Sequence, residues 1–144
     1  GLSTAYHLLL KCPSLDITIF DKAKPGLGGA SAVAGGLLHP LSPRGKLVHL
    51  GFEGLSCTNV LIDAALEHEE GAVLRNEILR MALSDDHVST LKQTAADYSS
   101  FAEWLAIEDL DGPELQVKGA LRLHTGCKVV HVPTYLLGLW KSCQ

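Results

Sequence analysis

Gly1 opens the run Gly1-Leu2-Ser3-Thr4-Ala5-Tyr6, and Asp21 closes the run Ile17-Thr18-Ile19-Phe20-Asp21 twenty positions later. A glycine at a helix start, then an acid at that distance after an apolar strand, is the pattern of a dinucleotide-binding unit. The glycine allows close packing of helix on sheet. The helix start faces a pyrophosphate, and the carboxylate accepts hydrogen bonds from ribose hydroxyls. Lys22 stands beside the same ribose position, although an exposed lysine is its simpler role. A complete motif has a strand and two more glycines before Gly1, so the pattern is read as the back half of such a unit.

Gly29, Ala30 and Ser31 follow in a glycine-rich stretch. Their backbone N–H groups and one hydroxyl suit cofactor oxygens, and small side chains permit close approach. An ordinary turn and helix cap would use the same residues. Arg44 and Lys46, with His49 nearby, form a small basic cluster suited to a carboxylate or a phosphate, or simply to a solvated loop. The histidines lack metal-ligand spacing, and Cys12, Cys57, Cys127 and Cys143 contain no CxxC pair, so no metal is expected. Ser3, Ser31 and Ser56 sit in no nucleophile elbow.

Elements must hold these groups in place. Leu2 to Cys12 reads as a helix through Leu2, Ala5, Tyr6 and Leu9, widened by Leu8 and Leu10 and stopped by Pro13. Asp16 to Phe20 reads as a strand, Lys22 to Gly29 as a loop, and Ala30 to Leu38 as a short helix running into an extended segment. Lys46 to His68 reads as a long helix with a possible break at Gly51 or Gly54. Val73 to Leu83 holds one or two strands. Ser84 caps a helix running to about Leu105, with Asp85 and Asp86 in its first turn. Asp111-Gly112-Pro113 is a turn; Glu114 to Val117, Ala120 to His124 and Val129 to Val132 are short strands. Pro133 suits the first position of a last helix, Thr134 to Cys143.

The chain has 144 residues, enough for one modest domain and one sizeable core. It is 47% hydrophobic and 19% charged, which excludes a disordered polyampholyte. A net charge of −4 with scattered Lys and Arg argues against a dedicated nucleic-acid binder. No apolar run reaches the roughly 18 residues of a membrane span, and no secretory signal opens the sequence. A soluble cytoplasmic or organellar compartment is expected, with an upstream targeting segment left open.

Leu2 to Asp21, Gly29-Ala30-Ser31, Gly35-Gly36-Leu37-Leu38-His39-Pro40, Ile78 to Leu83, Gly119-Ala120-Leu121 and Val130 to Leu136 together resemble the D-amino-acid-oxidase-like family of FAD-dependent oxidoreductases. The stretches Leu38 to Leu41 and Pro133 to Trp140 look most like the oxidase part of the bacterial bifunctional enzyme that completes 5-methylaminomethyl-2-thiouridine in tRNA. The resemblance implies an α/β fold: a partial Rossmann-like FAD-binding domain over 1–72, part of an α+β substrate domain over 73–128, and a return to the first domain over 129–144. It implies FAD held by Gly1, Asp21, Lys22, Gly29, Ala30, Ser31, Gly35, Gly36 and Leu37, with Gly35 to Leu37 beside the isoalloxazine ring. His39, Arg44 and Lys46 are the substrate-side residues, His39 as a contact or turn feature rather than a base, and no catalytic residue is assigned. The related tRNA oxidases carry an aromatic residue where His39 falls. Arg80 and Arg122 are strand positions with no assigned role.

The expected activity is oxidation of a carbon–nitrogen bond in an amine or amino-acid-like substrate, with oxygen as acceptor in the complete protein. The alternatives are a non-catalytic truncated or partner-binding form lacking segments at both ends, a tRNA wobble-uridine oxidase, and an NAD enzyme. A small-molecule substrate is the expected partner, ahead of tRNA.

Overall fold

The computed structural model describes residues 1–110 and 116–144. The expected turn at Asp111-Gly112-Pro113 and the start of the strand at Glu114 lie outside the described residues. The chain forms two compact units. The first comprises Gly1–Gly36, Ser56–Leu74 and Val130–Gln144; the second comprises Leu37–Leu55 and Arg75–Val129.

In the first unit, α1 (Leu2–Lys11) forms as its apolar spacing requires. Ala5 is buried at 3% exposure, and Leu2 and Tyr6 pack on a small core of Leu61, Ala65 and Leu139. Leu8 and Leu10 stay exposed, so the widened apolar face is only partly used. The core joins α1 to α4 (Val132–Lys141) and to the later turns of α2 (Gly51–Leu66). At Gly138 a Cβ would lie 2.5 Å from the Ala65 carbonyl oxygen, so its missing side chain lets these two helices touch backbone to backbone. Ser142 Oγ donates to the Ala64 carbonyl at 2.9 Å, and Lys141 Nζ meets Glu69 Oε1 at 2.6 Å.

Residues 16–20 do not form the expected strand. Ile17 and Ile19 are half-buried while Thr18 and Phe20 are exposed, so burial alternates along the segment as it would along a strand. A strand also needs a ladder partner, and none of the described residues pairs with it.

In the second unit, β3 (Ile78–Met81), β5 (Ala120–Leu123) and β4 (Ala102–Leu105) form an antiparallel sheet in the order β3-β5-β4. The registers pair Ile78 with Leu123 and Ala102 with Leu123 across the central strand. A two-residue β1 (Leu37–Leu38) pairs separately with β6 (Lys128–Val130), Leu37 opposite Val129. The remaining short strand, β2 (Val73–Arg75), lies on the other side of β6, so this second sheet runs β1-β6-β2.

Helix α3 (Asp85–Asp97) starts where expected: Ser84 Oγ accepts the His87 N–H at 3.3 Å, and Asp85 and Asp86 occupy the first turn. It ends at Asp97, not near Leu105. Ala102–Leu105 becomes β4 because its backbone pairs with β5, and a tertiary ladder overrides a helical spacing that 98, 102 and 105 also satisfy. Helix α2 likewise begins at Gly51 rather than Lys46, since 41–47 is a hairpin. The core beneath α3 includes Leu91, Phe101, Leu121, Leu123 and Cys127, with the Phe101 ring edge-on to Phe52 at 5.3 Å.

Cys127 is fully buried, and burial pushes its thiol up to about 11. Its thiolate is therefore scarce at neutral pH. Cys12 and Cys57 are exposed. The native protein is expected to show fast reaction of Cys12 and Cys57 with a disulfide reagent at pH 7.5, and reaction of Cys127 only after denaturant. Rapid native labelling of Cys127, read by peptide mass, would contradict this packing.

Candidate functional site

Of the positions expected to contact a cofactor, Gly1 through Gly36 lie in the first unit. Gly1 is the N-cap of α1, whose first amides have no side-chain cap. A Cβ at Gly1 would meet nothing within 4 Å, so protein packing does not demand glycine there. Free N–H groups and the positive end of a ten-residue helix suit an anion.

Asp21 follows the 16–20 segment on the surface. Its Oδ1 accepts the Ala23 N–H at 3.0 Å, which fixes the carboxylate at the mouth of the loop and leaves its other oxygen for a further donor. Gly28 folds back over this turn: a Cβ there would stand 2.6 Å from the Ala23 Cβ and 3.9 Å from Asp21 Oδ1. Lys22 is exposed, as its simpler reading has it.

Gly29, at φ 63°, is the N-cap of a 3₁₀ turn over Ala30–Val33, again without a side-chain cap. No neighbour lies within 4 Å of a Cβ built at Gly29 or at Gly35. Gly36 is different. Its φ is 68°, a Cβ there would overlap the Val130 carbonyl oxygen, and the Val130 N–H donates to the Gly36 carbonyl at 2.8 Å. Gly36 is therefore required by the fold itself, whereas Gly1, Gly29 and Gly35 border open space.

A cavity of about 610 Å³, within the range of small-molecule sites, lies in the same unit. Lys24, Pro25 and Leu27 line it from the loop, and Pro133, Thr134, Leu137 and Trp140 from α4. Sequence reasoning did not identify it. The available signal was the 133, 137, 140 spacing, which puts those side chains on one helical face. Tyr135 turns elsewhere, onto the core, so it and Trp140 do not form one wall.

Leu37, His39, Arg44 and Lys46 belong to the second unit. Leu37 is 59% exposed and sits in β1. His39 is half-buried, and its Nδ1 accepts the Leu41 N–H at 3.2 Å. Burial, and then the nearby Arg80 guanidinium, hold its pKa below the ordinary 6.5. The bond from Leu41 occupies the Nδ1 lone pair, so the neutral ring carries its proton on Nε2.

Arg44 and Lys46 project from an exposed hairpin closed by the Leu41–Leu47 bridge, with the Ser42 N–H donating to the Lys46 carbonyl at 2.7 Å. Ion pairs among the described residues include Lys118–Asp85, Arg122–Glu103 and Lys141–Glu69; none of these three uses Arg44, Lys46 or Arg80. Arg122 is thus engaged across the sheet. Arg80 instead donates to the Ser42 and Pro43 carbonyls, at 3.3 and 2.7 Å.

Among the described residues no group of three His, Cys, Asp or Glu side chains could hold a metal ion, and no helix is long and apolar enough to cross a membrane.

A family model described as FAD dependent oxidoreductase matches residues 1–144. No curated protein matches the sequence. Among solved structures, the chain is similar to glycine oxidase from Geobacillus kaustophilus, with a TM-score of 0.76 and 18% sequence identity. The match covers 99% of this chain and 41% of that one, so the chain spans about two fifths of that protein's length. At this identity the likeness is one of fold.

Proposed function

The chain belongs to the FAD dependent oxidoreductase family, and we propose that it forms the adenosine- and pyrophosphate-gripping part of an FAD enzyme that oxidises a carbon–nitrogen bond in an amine or amino-acid-like substrate. The observation that carries this reading is the Asp21 carboxylate, fixed through one oxygen by the Ala23 N–H and open through the other. The group fits the residues present: the space beside Gly1, Gly29 and Gly35 is clear, and uncapped amides open α1 and the 3₁₀ turn at Ala30. Asp21 would hold the ribose, with Lys22 alongside. The amides at Gly1 would take the pyrophosphate, and Gly29, Ala30 and Ser31 further cofactor oxygens. Gly35, Gly36 and Leu37 would supply close backbone approach to the ring. We read 1–72 with 129–144 as the cofactor part and 73–128 as the substrate part.

FAD, when bound, supplies the two-electron acceptor for the C–H bond next to the amine nitrogen. The amine loses a hydride from carbon and a proton from nitrogen and becomes an imine; molecular oxygen is the proposed final acceptor. The residues proposed here bind and orient. His39 offers an Nε2–H to a substrate acceptor, and Arg44 and Lys46 face a substrate carboxylate.

The flavin content of the full-length protein tests the reading, taken from its visible spectrum and again after denaturation. About one FAD per chain, with oxygen consumption on glycine or sarcosine, is the expected result. A colourless protein that binds NAD, or a folded one that takes up no flavin, would overturn it.

Arg44 and Lys46 are exposed and take part in none of the ion pairs seen among the described residues, which favours a second reading, in which the amine is a modified uridine of tRNA. That reading requires RNA affinity that falls steeply with salt. Salt-independent binding together with turnover of free glycine would exclude it.

A further inference from the structure

We propose that Arg80 is a positioning residue for His39: its grip on the Ser42 and Pro43 carbonyls fixes the 39–47 segment so that His39 accepts at Nδ1 and presents Nε2–H as a donor. The inference rests on the substrate role proposed above for His39, but its geometry stands apart from any activity.

The 39–47 segment has few internal means of holding one conformation. It leaves β1 at Leu38, turns through His39-Pro40 and doubles back as a hairpin. Its own bonds close the hairpin: the Gly45 N–H donates to the Ser42 carbonyl at 3.0 Å, and the Lys46 N–H to Ser42 Oγ at 3.2 Å. None of these ties the hairpin to the rest of the unit. Leu41 does so by packing, buried in the core of the unit, and three side chains do so by hydrogen bonds. From α3, the Thr94 hydroxyl reaches the Gly45 carbonyl at 3.5 Å, and the Tyr98 hydroxyl accepts the Leu47 N–H at 3.3 Å. From β3, Arg80 spans two successive carbonyls with both of its terminal nitrogens.

The second grip is the stronger in kind. A planar guanidinium bonding two carbonyls has a geometry that a single point charge cannot reproduce. It is also an unusual use of a half-buried arginine, because no carboxylate among the described ion pairs compensates it. A cation kept partly out of water is costly unless its donors are satisfied, and here hairpin carbonyls satisfy them.

The consequence for His39 is both steric and electrostatic. With Ser42 and Pro43 fixed on one side and the Leu41 side chain buried in the core, the Leu41 N–H is held where it meets Nδ1. The Arg80 charge opposes a second positive charge on the ring, in the same direction as burial. The other groups packed on this segment do not compete. α3 contributes the Thr94 hydroxyl and its C-cap the Tyr98 hydroxyl, neither of them charged, and the cations of the hairpin, Arg44 and Lys46, are exposed. His39 is therefore a neutral donor at physiological pH.

The test uses the full-length protein labelled with ¹⁵N in its histidine rings, with His39→Gln to assign the signal. The wild-type ring should carry its proton on Nε2 and titrate below 6.5. Arg80→Met removes grip and charge together, so a mixture of tautomers and a raised midpoint are expected. Arg80→Lys keeps the charge and loses the fork, so the tautomer should relax while the midpoint stays depressed. A merely structural arginine would not separate these two readouts. A wild-type ring protonated on Nδ1, or an Arg80→Lys ring identical to wild type, would overturn the proposal. If Arg80→Met fails to fold, the wild-type tautomer and the lysine variant still decide. Loss of the amine-oxidation reading would leave the ring results unchanged, and so would be told apart from failure here.

Discussion

Gly36→Ala should lower the thermal midpoint of the protein by about 10 °C. The backbone at Gly36 sits at φ 68°, and the added Cβ would overlap the carbonyl oxygen of Val130. A left-handed conformation costs an L-residue roughly 1–2 kcal/mol, and forced overpacking about 1–3 kcal/mol. The sum is on the order of 3 kcal/mol, and a domain of this size loses about 3 °C or more for each of them. The clash cannot relax cheaply, because the Val130 N–H is bonded to the Gly36 carbonyl at 2.8 Å and the two backbones are locked together. Calorimetry of the full-length protein, with and without added FAD, reads the effect. A variant that keeps its melting point but loses flavin would mean that Gly36 serves the cofactor alone. Gly35→Ala is the control: its Cβ meets nothing within 4 Å, so stability should hold while cofactor affinity falls.

The second large effect is expected at Asp21, the residue proposed to hold the ribose. Asp21→Ala should weaken FAD binding by roughly ten- to a hundredfold, the consequence of losing charge-assisted hydrogen bonds. The side chain is exposed and its one internal partner is the Ala23 N–H, so stability should change little. Asp21→Asn keeps an oxygen for Ala23 and loses only the charge, and its affinity should fall between the two. Equilibrium dialysis against FAD on the full-length protein measures all three. Equal affinity of wild type and Asp21→Ala would remove the ribose role from Asp21.

Several features of this chain were legible in its residues. The apolar spacing of Leu2, Ala5, Tyr6 and Leu9 sets α1, and Ser84 with Asp85 and Asp86 sets the start of α3, because helix faces and caps depend on residues within a turn or two. Pro133 marks the first turn of α4 in the same way. The Gly1 to Asp21 spacing and the glycine-rich stretches pointed to a dinucleotide, and the resemblance of several stretches along the chain pointed to the family that the whole chain matches. Each of these signals is local, or is a fixed count along the chain.

Other features depended on neighbours distant in sequence. Ala102–Leu105 became a strand because β5 lies beside it, and 16–20 stayed unpaired because no described strand forms a ladder with it. Sequence treated Gly35 and Gly36 alike. Only the Val130 carbonyl, 94 positions away by numbering (130 − 36), makes one a demand of packing and leaves the other facing open space. Arg80 and Arg122 read as equivalent strand arginines, yet Glu103 takes one and the 41–47 hairpin takes the other. Periodicity and caps are encoded within a few residues. A ladder partner, a close backbone approach and the counterpart of a charge exist only once distant segments have met.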